Sequence, residues 1–200
     1  MSAPAIITHA PPAIWAAARY LITAIFNIFG APEAIAAQDV HSKAERNLLL
    51  KWLRAGEAML RHLLLIEAAA YADLPHSTRK RAPRVRVRRL MSFTADKPED
   101  WRVSFRYAAS PAAGGAARAR GEAKRFHSAW PLAERAEALL RAFNDPAPFA
   151  RRLAHRLRAA PKSVEQLTLY PPNLRHVIDE ADFVALRESA GTARKRFNSS

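Results

Sequence analysis

The run from Ala13 to Phe29 is almost wholly apolar, with Pro11 and Pro12 before it and Gly30 and Pro32 after it. Proline at a helix start and glycine just past a helix end are the usual punctuation of a helix, so a helix is predicted here. Its polar exceptions Arg19, Thr23 and Asn27 are spaced by four and form one narrow stripe, which leaves most of the circumference in need of burial. Ser42-Lys43-Ala44-Glu45 then matches a capping box, in which the Ser hydroxyl and the Glu carboxylate satisfy free amides of a first helical turn. A long helix is predicted from there. Along it Leu49, Trp52, Gly56, Met59, Leu63, Ile66 and Ala70 keep a three-four spacing, with Lys51, Arg54, Glu57 and Arg61 off that line. Such a seam packs either on the 13–29 helix, with Gly56 allowing close approach, or on a second copy of the chain. The intramolecular form is simpler, so a monomer is favoured over a homodimer.

Beyond Pro75 the pattern changes to period two. Val85 and Val87 alternate with arginines, and Trp101, Val103, Phe105 and Tyr107 alternate with Arg102, Ser104 and Arg106. That is the period of a strand with one apolar face, and the polar 94–100 segment between the runs suits a hairpin tip. Residues 108–122 are rich in Ala, Gly and Pro and read as a flexible loop. Helical periodicity returns with Leu132, Ala136, Leu139, Leu140 and Phe143 on one face and Glu134, Arg135, Glu137 and Arg141 elsewhere. Asn144-Asp145-Pro146 breaks and restarts the helix. The next one sets Phe149, Leu153, Leu157 and Ala160 against Arg151, Arg152, His155, Arg156 and Arg158. A last helix, capped by Asp179, runs through Phe183 and Leu186 to Gly191, and the tail from Thr192 reads as frayed. The whole predicts a mainly α fold of two helical hairpins with a short β-hairpin in a basic central segment.

Charge sharpens this division. Residues 1–73 carry six basic and six acidic groups, 74–130 fourteen and four, and 131–200 twelve and eight, within a total of +14. The three parts are an apolar helical hairpin, a basic segment and an amphipathic helical region. Seven of the eleven residues from Arg79 to Arg89 are basic: Arg79, Lys80, Arg81, Arg84, Arg86, Arg88 and Arg89. With Arg102 and Arg106 beside aromatic residues, and with Arg151, Arg152, Arg156 and Arg158 on one helix, these are the candidate contacts to a polyanion. Arginine outnumbers lysine 25 to 7 among chain residues that also include 43 alanines, a balance that GC-rich coding produces without any ligand. The alternation of ring and arginine also sends the two to opposite strand faces, so Trp101, Phe105 and Tyr107 are assigned to core rather than to a stacking platform.

Several function classes close. Without cysteine there is no disulfide scaffold, thiolate nucleophile or Cys-based metal site. The six glycines form neither a Walker loop nor a dinucleotide fingerprint. His176, Asp179 and Glu180 have helical spacing, and His62 precedes Glu67 by five, but neither set has further ligands or a catalytic motif around it. No catalytic residue, metal or cofactor is assigned.

The reading is therefore a non-enzymatic interaction or scaffold protein that engages an acidic partner through its basic centre. The alternatives are a non-specific nucleic-acid-binding protein and a membrane-associated protein held by the 13–29 helix. A cytoplasmic location is expected, since the mid-helix Arg19 opposes membrane insertion and the leader lacks the basic cluster of a secretory signal.

Overall fold

The computed structural model describes residues 10–71, 98, 101, 103–105, 107, 126–159, 164–167 and 179–198. In chain order the elements are helix α1 (Pro12–Phe29), α2 (Pro32–Ala36), strand β1 (Val40–Ser42), α3 (Lys43–Ala70), β2 (Phe126–Ser128), α4 (Trp130–Asn144), α5 (Pro146–Ala159), α6 (Val164–Leu167) and α7 (Glu180–Asn198). The mainly α expectation holds. α1 begins on Pro12 and stops at Gly30, whose φ of +87° suits glycine and where a Cβ would lie 2.9 Å from that of Ala34. α3 starts on the capping box, the Glu45 amide donating to Ser42 Oγ and the Ser42 amide to the Glu45 carboxylate at 2.9 Å. The bond from the Ser42 amide to the anion, with the Ser42 side chain adding to it, holds the Glu45 carboxyl below its ordinary pKa.

α3 is the axis of the molecule. Every residue from Ala55 to Ala69 is buried, and α1, α4, α5 and α7 all pack against it. The seam residues Leu49, Gly56, Met59, Leu63 and Ile66 are buried as expected, whereas Trp52 and Ala70 are only partly so. The opposite face carries Ala58, Leu65 and Ala68, which are buried just as completely. A helix apolar on both faces needs cover on both, which one partner cannot supply. Glu57 and Arg61, which lie off the seam line, are consequently buried too.

α1 lies antiparallel to α3, the Ala10 amide and Trp15 Nε1 both donating to Glu67 near the far end of α3. At Gly56 an added Cβ would sit 3.0 Å from Leu139 and 3.3 Å from Ile25, so the missing side chain is what lets α1, α3 and α4 meet. α4 and α5 follow one another through the predicted break, with Asp145 ending the first and Pro146 opening the second. Glu137, which lies off the apolar face of α4, is nevertheless buried and accepts from Arg141 Nε.

The frayed tail is a correction. α7 continues through Gly191 to Asn198, because Phe183, Leu186, Ala190, Ala193 and Phe197 keep a three-four spacing and are all buried. Burial of Ala193 and Phe197 outweighs the roughly 1 kcal/mol that a helical glycine costs. The small sheet is antiparallel, but it pairs β1 with β2, with His41 opposite His127. Residues 101, 103–105 and 107 of the expected hairpin carry no strand pairing, and 85–87 lie outside the described residues. Side chains anchor this segment instead: Trp101 packs on Trp130 at 4.6 Å between ring centroids and Phe105 on Phe149 at 6.3 Å. Core residues from positions 10–69, 101–105 and 132–197 form one continuous cluster, so the three parts distinguished by charge share one core.

Pro12–Ala36 is long and apolar enough to cross a membrane by length and composition, and 28% of its most apolar window is buried in the fold. Tyr20 and Ile28 on its outer face are 74% and 53% exposed.

Candidate polyanion-binding face

Among the candidate polyanion contacts, Arg79, Lys80, Arg81, Arg84, Arg86, Arg88, Arg89, Arg102 and Arg106 lie outside the described residues. The remaining four are on α5, and the structure separates them. Leu153, Ala154 and Leu157 turn into the core, which forces Arg151, Arg152, His155 and Arg156 to the surface. Arg158 is half-buried and donates from Nη2 to the Tyr71 carbonyl, tying the end of α5 to the end of α3. It is a clamp between helices, and in the last turn of α5 its charge also opposes the carbonyl end of the helix dipole.

Each of the other three arginines rests on a ring. The Arg152 guanidinium carbon lies 4.5 Å from the Phe149 centroid, that of Arg151 5.3 Å from Tyr71, and that of Arg156 5.4 Å from Tyr107. These are cation–π distances, at which the ring face attracts the cation and restrains its long stem. Phe105 meets both Tyr107 and Phe149 edge to face, and the Tyr107 hydroxyl donates to the Phe149 carbonyl at 3.1 Å. The rings are thus tied to one another and to the core before they touch an arginine. Among the described residues no carboxylate forms an ion pair with Arg151, Arg152 or Arg156.

Tyr71, Tyr107 and Phe149 were not among the residues singled out for binding. The pairing of Phe149 with Arg152 is legible from their i, i+3 spacing on a helix. Nothing local places Tyr71 or Tyr107 there, since both are at least 39 residues from α5 in the chain. The assignment of the aromatics to core fits Trp101 and Phe105, which are buried, while Tyr107 is partly buried and serves both core and surface.

Burial raises the pKa of the Tyr107 phenol, and the nearby positive charges of Arg152 and Arg156 oppose that rise. The folded protein therefore keeps this proton at a pH where the unfolded chain, titrating near 10, has lost it. Stability is expected to fall as the pH rises from the unfolded value to the raised folded one. Denaturant titrations above pH 9 should show that loss, and Tyr107→Phe should flatten it.

Other polar groups have structural roles. His62 is fully buried, with Nδ1 2.7 Å from the Ala58 carbonyl, and Glu67 receives the donors at the start of α1. Among the described residues no three His, Asp or Glu side chains are grouped to hold a metal; His176 is not one of these residues. A cleft of about 280 Å³ between the starts of α3 and α4 is lined by Arg46, Ser104, Ser128, Glu134 and Arg135. Its charges are mixed and partly committed, Arg135 to Glu57 and Glu134 to Trp130 Nε1. No protein-family model, curated protein or solved structure matches the chain.

Proposed function

We propose that this is a non-enzymatic interaction protein whose helical body presents arginines to an acidic partner. The observation that carries the reading is the α5 face, where Arg151, Arg152 and Arg156 are held outward on rings and no described carboxylate neutralises them. An unneutralised cluster of one sign on a rigid helix raises the local concentration of the opposite charge and speeds its encounter. The 79–89 run adds seven basic residues without an acid. In the test, the full chain is offered polyglutamate and an oligothymidylate at low salt. Retention of at least one polymer is expected. It should be lost when Arg151, Arg152 and Arg156, together with the basic residues of 79–89, become Gln, while far-UV circular dichroism stays unchanged. Failure to retain either polymer, or equal retention by the neutralised chain, overturns the reading.

Membrane attachment through α1 is the second reading, favoured by the exposure of Tyr20 and Ile28 on a helix whose charge is limited to Arg19. Electrostatic attachment through arginines is released by salt, whereas an embedded α1 is not. The first reading expects the protein in the soluble or salt-released fraction. Retention after both high-salt and alkaline washes would instead establish the second.

A further inference from the structure

Resting on that reading of α5, we infer that the occupant of the face is a phosphodiester chain, a nucleic-acid backbone bound without selection of bases. The first ground is the disposition of the forks. Arg152 Nε donates to the Pro148 carbonyl at 3.0 Å while its guanidinium lies over Phe149, which leaves the two Nη groups as its free donors. Arg151 and Arg156 are likewise laid on rings, and neither pairs with a described carboxylate. A planar fork fixed this way donates two parallel bonds to the paired oxygens of a phosphate, which a lysine ammonium cannot do.

The second ground is what the rings do not offer. Tyr71, Tyr107 and Phe149 each have an arginine over a face, and the Tyr107 hydroxyl is turned to the Phe149 carbonyl. Faces covered by cations are not platforms for stacked bases, and an inward hydroxyl reads no base edge. Contacts therefore fall on the backbone, which positions a strand without reading it.

The third ground separates phosphodiester from polycarboxylate. Arg152 and Arg156 are one helical step of four residues apart, about 6 Å along the axis. A polynucleotide carries its charge in the chain itself, so meeting forks at a fixed separation orders backbone torsions but no charged side chain. An acidic peptide must also immobilise a flexible side chain for every carboxylate it uses, at a cost of about 0.5 to 1.5 kcal/mol each.

The experiment measures fluorescence anisotropy of the full chain with an oligothymidylate of about 20 nucleotides and with polyglutamate of matched charge. Variants carry Arg151, Arg152 and Arg156 all as Lys, or all as Gln. Wild type is expected to bind the oligonucleotide at least about tenfold more tightly than polyglutamate, and to hold a mixed-base strand equally well. The Lys variant should lose about tenfold toward the oligonucleotide, because an ammonium cannot make the two-point contact. The Gln variant should flatten the log–log salt slope by about 2, the share of three phosphates at about 0.7 each. Equal affinity for the two polymers, or a Lys variant that binds the oligonucleotide as wild type does, overturns the phosphodiester assignment and leaves the acidic-partner reading in place. Binding of neither polymer overturns both.

Discussion

Leu63→Ala is expected to remove about 2 to 5 kcal/mol of stability, the range for emptying a packed leucine site, out of the roughly 5 to 15 kcal/mol that a domain holds. Leu63 is fully buried, two turns beyond Gly56 on nearly the same line of α3. The surroundings cannot relax into the space, because the helix is covered by neighbours on both faces and the cavity would open at the centre of the bundle. At about 2 to 4 °C per kcal/mol for a chain of this size, the melting temperature should fall by roughly 4 to 20 °C. Trp52→Ala should cost less although the deleted ring is larger, since Trp52 is only partly buried. Exposed Arg54→Ala should change stability by less than about 0.5 kcal/mol. The melting temperature should also be independent of protein concentration, since helices of the same chain cover the Leu63 face of α3. A melting temperature that climbs with concentration would mean that a second copy completes the core.

The second large effect is electrostatic. Glu57 lies in α3 at 7% exposure and takes both Nε and Nη2 of Arg135 at 2.8 Å, a two-point pair that joins α3 to α4. One turn further on, Arg61 is 4% exposed, and its Nε has no hydrogen-bond partner among the described residues. Burial lowers the pKa of Arg61, Glu57 offsets this, and Arg135 adds to it. One carboxylate thus compensates two guanidiniums. Glu57→Ala should therefore cost about 3 to 5 kcal/mol, as expected when one partner of a buried pair is removed and the other charge stays behind. The two arginines differ in what happens next. The Arg135 side chain is 21% exposed and can turn to water, whereas Arg61 is enclosed. A second change, Arg61→Met, should then recover much of the loss by replacing a stranded charge with an apolar side chain of similar length. Chemical denaturation of the single and double variants measures this coupling. If Arg61→Met gives no recovery on the Glu57→Ala background, Arg61 is not the group that Glu57 compensates.

Much of the helical frame was legible in the residues. Pro12 and Gly30 bound α1, the Ser42 and Glu45 box opens α3, and Asp145-Pro146 divides α4 from α5, because caps and breakers act through the backbone within one turn. The sidedness of α5 was equally plain, since a period of 3.6 residues decides which side chains share a face before any partner is known. α7 runs past its expected end because glycine weakens a helix only locally, while the burial of Ala193 and Phe197 that carries it on is a tertiary effect.

What tertiary structure alone decided is how faces are covered and which distant residues meet. The spacing from Leu49 to Ala70 predicts one seam, yet α3 is enclosed on both sides, which follows from the number of helices that gather around it. The pairing of Val40–Ser42 with Phe126–Ser128 joins segments more than eighty residues apart, and no local period encodes such a partner. The α5 face is a case of both. Its arginines stand outward because Leu153 and Leu157 point inward, a consequence of helical period. Their seats on Tyr71 and Tyr107, and the use of Arg158 as a clamp, depend on where the ends of α3 and of the 101–107 segment come to rest, which only the packing of the whole core determines.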